Sequence, residues 1–531
     1  MKRAISMTGR LLAPMVLGMW LTATAYAAAP GITGPTFSLT AHDAYLSQPD
    51  GAAVYSWGYG CDPNAAKPVF APAAITNGFC NSMQVPGPTL IVTEGQTVTV
   101  NLANQLPTAA GNTSILFPGF NVTTSGGVAG LLTQEAAPGG TVTYTFTASS
   151  PGTRAYYSGT QGDLQVEMGL YGAIIVLPAA VPSVCTSGLH AANLAVEAYR
   201  GESDFRLAPA AYNHPQACYD REYLFQFSEM DPNIHNQALA QVTAAGNCTA
   251  GSPGCSLNVA TEPYSPSYFM INGRSMPDDM DANYATEYPH QPYNGNPHMH
   301  PGELTLIRVI GQGRWEHPFH EHGNHVRILA RDGNLITSAT NPAQNLAGIL
   351  LFTTDTFPGQ SFDGIFYWTG KGLNWDPYGH NPASQDPNAK LSCIPDANGY
   401  NTANSIPPAA VSAINYYEWC QDHNKPLQVA PFGDVAAGGP ATLPDPNIFT
   451  NGPWYGGSPY LGPDATIRAV GATGTTPPSG TIANPPTGEA GFAFMWHSHN
   501  EREITTNNIF PGGMLMMMLV DSREFVIDES L

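Results

Sequence analysis

Two stretches of this 531-residue chain concentrate five imidazoles, His317-Pro-Phe-His320-Glu-His322 and His497-Ser-His499. In a β-strand, side chains two apart share a face and their neighbours point the other way. His320 and His322 therefore share one face, as do His497 and His499, and two neighbouring strands can converge four imidazoles on one ion. His317 turns to the opposite side, where Ser498 also points. Imidazole suits copper and zinc alike, and the usual affinity order places copper first and zinc second. The bland reading is that these rings hydrogen-bond one another and water in a packed core. Five histidines in two matched motifs favour the metal over that reading.

Strands must carry these motifs, and the sequence supplies them. Thr97-Val-Thr-Val-Asn-Leu and Thr141-Val-Thr-Tyr-Thr-Phe-Thr alternate β-branched or aromatic residues with polar ones, as half-buried strands do. A second series runs through Glu222-Tyr-Leu-Phe-Gln-Phe, Tyr268-Phe-Met-Ile and Glu303-Leu-Thr-Leu-Ile-Arg-Val-Ile, and resumes from Phe492 to Val520. Between about residues 372 and 489 the texture changes to Pro, Asn, Gly and Ala, which reads as a long loop-rich insertion. With 55 Gly and 48 Pro and only 11% charged residues, the composition is that of an all-β protein with many turns.

The motif His317-Pro-Phe-His320-Glu-His322, together with His497-Ser-His499 and the segment Val85-Pro-Gly-Pro-Thr-Leu-Ile-Val, resembles the multicopper oxidases. The resemblance implies two cupredoxin-like Greek-key β-sandwiches, over residues 30–180 and 185–531, with the insertion at 372–489 in the second. It also implies kinship with two-domain relatives, some of which assemble as trimers. By resemblance His317 takes a blue-copper position, while His320, His322, His497 and His499 take positions in the oxygen-reducing cluster.

Departures from the family pattern are as informative. The family's cysteine between the last two histidines is Ser498 here, and the histidine expected five residues later is Glu503. A blue-copper centre needs a thiolate beside two histidines, so no blue colour is expected. The first family block reads Ser114-Ile-Leu116-Phe-Pro118-Gly, with Leu116 and Pro118 in the histidine positions. The second reads Gly152-Thr-Arg-Ala-Tyr-Tyr157-Ser-Gly159, with Tyr157 and Gly159 there. Every absent cluster ligand thus belongs to the first sandwich and every retained one to the second.

Two function classes follow. One is a secreted protein that binds copper through the second sandwich, with residual oxidoreductase activity but not that of a blue laccase. The other is a metal-free structural or interaction protein on a degenerate scaffold. Four-electron oxygen reduction needs electrons stored on several coppers, whereas these ligands support one or two ions.

Lys2-Arg3, the apolar run Leu11 to Leu21 and the small residues Ala25-Tyr-Ala27 read as a secretory signal over residues 1–27, directing the chain to the periplasm or outside the cell. No other stretch reaches the roughly 20 apolar residues of a membrane span. The formal charge of −21 opposes binding to nucleic acid and attracts cations. The 8 cysteines suit an oxidising compartment. Nearest-neighbour pairing joins Cys61 to Cys80, Cys185 to Cys218, Cys248 to Cys255 and Cys393 to Cys420, one choice among on the order of a hundred connectivities. His298-Met-His300 has the spacing for a shared ion or belongs to a hydrated loop. Met514, Met516 and Met518 read as core. Glu321, Glu501 and Glu503 read as a solvated or salt-bridged acidic surface, or as oxygen donors beside His317.

Overall fold

A computed structural model describes residues 28–371, 395–401, 416–421, 457–461, 482–483, 491–521, 523 and 525–529. The expected signal segment, Cys393 and most of the expected insertion lie outside the described residues.

Strands dominate, and they form two sandwiches. In the first, one sheet runs in the order Gly152–Tyr157, Tyr171–Leu177, Leu90–Thr93, Gly31–Thr33, Phe70–Ala71. The facing sheet runs Ala53–Cys61, Thr36–Ser47, Thr97–Asn104, Thr141–Thr147, Thr123–Gly126. Thr97–Asn104 and Thr141–Thr147 pair in antiparallel register, and their alternate residues Val98, Val100, Leu102, Val142, Tyr144 and Phe146 are buried between the sheets. The period of 2 read from the sequence is therefore a burial pattern.

The second sandwich sets a sheet built on Arg221–Met230, Leu304–Gly311 and Ser361–Tyr367 against the sheet that carries the histidines. The latter runs His298–Met299, Leu515–Asp521, Gly491–Ser498, His317–Glu321, Thr353–Thr356. Between them Phe225, Phe319, Phe366, Trp496, Met514, Met516 and Met518 form one core, so the alternating methionines fill space. Leu304–Gly311 and Arg221–Met230 lie parallel and are buried nearly throughout, which is why they read as apolar runs.

Apolar contacts and a buried polar cluster join the sandwiches. Ala155, Ala173 and Ile175 of the first pack with Leu224 and Ile310 of the second. Asp363 accepts from Thr153 Oγ1 at 2.6 Å and from Tyr212 Oη at 2.5 Å, while Arg308 donates to Glu222 at 2.9 Å.

Two helices of more than one turn among the described residues, Gly188–Arg200 and Pro232–Ala245, interrupt the all-β pattern. The second carried a legible start, since Asp231 accepts from the Asn233 amide and Pro232 occupies the first turn. Disulfides join Cys61 to Cys80, Cys185 to Cys218 and Cys248 to Cys255, matching the nearest-neighbour pairing.

Candidate metal centre

Register between His317–Glu321 and Gly491–Ser498 sets the site. The strands pair antiparallel with Phe319 opposite Ser498, His320 opposite His497 and Glu321 opposite Trp496. Phe319 and Trp496 therefore enter the core, and His320 and His497 emerge side by side on the other face. One residue of slippage would exchange the two faces, so the aromatic core fixes the imidazoles.

His320, His322 and His497 each bring one ligand atom to within 4.8 Å of the others. Ring centroids lie 4.8 Å apart for His320 and His322, 5.4 Å for His320 and His497, and 5.3 Å for His322 and His497. His499 stands at the rim with its ring 4.8 Å from His320 and 5.5 Å from His497, and about half of its side chain is exposed. At metal–nitrogen distances near 2.0–2.1 Å, nitrogens around one tetrahedral ion sit about 3.3 Å apart. A contraction of at most about 1.5 Å would close the trio on an ion.

Electrostatics favour neutral rings, the form that ligates. Burial and then the neighbouring His322, His497 and His499 push His320 down to about 3. Burial likewise lowers His497, against the opposing bond to the Ser498 carbonyl. Outer contacts set the tautomers as well. His497 Nδ1 donates to the Ser498 carbonyl at 2.7 Å, which directs the Nε2 lone pair outward. His320 Nδ1 is 2.7 Å from Thr353 Oγ1, on the strand that flanks it opposite His497.

His317 stands apart from this cluster and is fully buried. Its Nε2 donates to Glu229 and its Nδ1 to Glu503, both at 2.9 Å. Burial opposes charge on the ring, but the hydrogen bonds and charges of the two carboxylates outweigh it and raise the group to about 9. Ser498 Oγ donates to the same Glu503 oxygen at 2.5 Å. Glu229 also accepts from the Arg314 and Trp315 amides, at 2.7 and 2.8 Å. The face bearing His317 and Ser498 thus holds an imidazolium between two carboxylates.

Glu229 was missed in the sequence. Its only signal was an acidic residue ending the apolar run from Arg221 to Met230. Of the three acids read as surface, Glu501 is exposed, but Glu503 is buried on His317 and Glu321 is buried in the core, where its carboxyl meets no hydrogen-bond donor among the described residues. His298 and His300 belong neither to a hydrated loop nor to a shared ion site. Both are buried, His298 against Asp521 at 2.5 Å and His300 against Glu202 at 3.0 Å.

The first sandwich offers no imidazole at the corresponding positions. Leu116 and Tyr157 pair backbone to backbone, and a Cβ at Gly159 would lie 2.8 Å from the Leu116 side chain.

These features define a cupredoxin-like double sandwich with a histidine cluster on the second. Residues 73–180 match the multicopper oxidase family model. Sequence relatives include an L-ascorbate oxidase of Brassica rapa subsp. pekinensis, 38% identical over 96 residues, and multicopper oxidase MCE of Talaromyces pinophilus, 37% identical over 98. Each alignment covers 18% of this chain and 16% or 15% of the relative's length. Similar solved structures include the multicopper oxidase mgLAC and the blue copper oxidase of Nitrosomonas europaea, both 15% identical with a TM-score of 0.43. The two alignments cover 91% of this chain and 86% and 85% of those chains. The chain is thus similar to the multicopper oxidases over residues 73–180 and spans about a sixth of the length of the curated relatives it matches.

Proposed function

We propose that the protein is a secreted copper-binding protein that holds its ion through His320, His322 and His497, with His499 at the rim. The observation that carries this reading is the approach of three ligand atoms to within 4.8 Å on one sheet face. Three imidazoles suit copper in either oxidation state and also zinc, and the resemblance to multicopper oxidases favours copper.

The two-domain layout over 30–180 and 185–531 belongs to the same proposal. So does export, which rests on the amino-terminal pattern and on the family. Among the described residues no helix is long and apolar enough to cross a membrane.

Blue laccase chemistry is excluded from the proposal on chemical grounds. Ser498 supplies no thiolate, and both nitrogens of His317 are committed to carboxylates. The same ion pair, with the apolar first-sandwich positions, favours a metal-free scaffold as the second reading.

Optical and electron paramagnetic resonance spectra of copper-loaded protein separate these readings. A single non-blue Cu(II) signal with nitrogen hyperfine structure supports the proposal. An intense blue band contradicts the site, and protein that takes up neither copper nor zinc leaves the scaffold reading.

A further inference from the structure

A cavity of about 460 Å³ opens at the seam of the two sandwiches, and its walls differ from the histidine face in every respect. Leu116 and Val166 line it from the first sandwich and Pro358 from the second. Among the described residues that line it none is Asp, Glu, Lys, Arg or His, and the one ionisable group is Tyr157. Burial raises that phenol, which therefore stays neutral and able to donate a hydrogen bond.

Its mouth is built unusually. The short strands Val128–Ala129 and Gln134–Glu135 form a hairpin closed by a bond from the Gly130 amide to the Thr133 carbonyl at 3.1 Å. Tight hairpin tips favour Asn and Gly, yet this tip is Leu131-Leu132, 92% and 65% exposed and set over the cavity. Gln161 also lines the cavity at φ 44°, a left-handed conformation that a long side chain adopts only at a cost. Gly313 contributes bare backbone at φ 69°, where a Cβ would lie 2.4 Å from Glu229.

We propose that this cavity is a binding site for a neutral, largely apolar small molecule, over which the Leu131-Leu132 tip closes. The volume lies within the range of small-molecule sites, and an apolar wall with one polar handle is their usual composition. An uncharged ligand is required because no lining group compensates a charge. Covering the two leucines removes from water two of the three most exposed large apolar side chains described in the first sandwich. The inference does not rest on metal binding, since no histidine lines the cavity.

Titration of the full chain with the neutral dye N-phenyl-1-naphthylamine tests it by fluorescence. The expected result is saturable binding of one equivalent, displaced by neutral 2-naphthol and not by naphthalene-2-sulfonate. Leu116→Trp, which fills the cavity, is expected to weaken the dye at least tenfold. The exposed-tip double variant Leu131→Ser/Leu132→Ser is expected to weaken it several-fold without changing the melting temperature or metal content. Phe510→Ser removes an exposed ring, 65% accessible, that does not line the cavity and should leave the titration unchanged. Absence of saturable binding, wild-type affinity in the tip variant, or loss of binding in Phe510→Ser would each overturn the proposal.

Discussion

Ser498 and His317 meet on one atom, the Oε2 of Glu503, to which the serine donates at 2.5 Å and the imidazole at 2.9 Å. Resemblance assigns both Ser498 and His317 to a blue-copper centre, and Glu503 stands where that family pattern has a further histidine. An acid–base network occupies these positions. The substitutions are mutually consistent, because a carboxylate compensates an imidazolium and a serine hydroxyl satisfies the same oxygen.

Ser498→Cys alone is therefore expected to remain colourless with copper. His317 stays bound by two carboxylates, and a thiol beside Glu503 is held protonated by that charge. Pairing it with Glu503→His supplies the thiolate and two imidazoles that a blue site needs, and absorption spectroscopy should then show a blue band. A band in the single variant would show that the carboxylates do not hold His317.

The ion pair also sets a pH window. His317 is raised from its ordinary 6.5 to about 9 in the folded protein, so the proton is bound more tightly there than in the unfolded chain. Its stabilisation is fully present below about pH 6.5 and is lost as pH rises through about 9. Melting temperatures between pH 6 and 10 should fall for the wild type and flatten over that window in His317→Gln. Glu503→Gln at neutral pH should cost about 1.5–3 kcal/mol in denaturant titration, the range for a hydrogen bond to a charged group.

Thr353→Val leaves the three candidate ligands in place and removes the hydroxyl beside His320 Nδ1. Outer-shell bonds of this kind orient the ring, and their loss typically weakens metal binding by about 10–100-fold. Calorimetric titration with Cu(II) should show that loss with little change in the metal-free melting temperature. Unaltered affinity would mean that the strand alone aims the ring.

Legibility in the sequence followed the range of the interaction. Alternation was local, so Thr141–Thr147 and the shared faces of His320 and His322 could be read from residue types. The aromatic partners that hold those faces, Phe319 and Trp496, come from strands far apart in the chain and yet flank the motifs themselves. Glu229 lies 88 residues from His317 and had no local signature. Glu321 was misread because a carboxylate in a polar motif normally faces water, whereas the register opposite Trp496 turns it inward. The cavity escaped notice because its walls come from both sandwiches, and only the Leu-Leu hairpin tip was open to reading.

Three imidazoles on one sheet face are proposed to hold an ion. The most direct test is metal content by mass spectrometry after copper loading and exhaustive dialysis, for the wild type and for His320→Ala/His497→Ala. At least one retained ion per chain is expected in the wild type and none in the double variant, with both proteins folded. Less than one ion in the wild type, or equal retention in the two, would contradict this proposal.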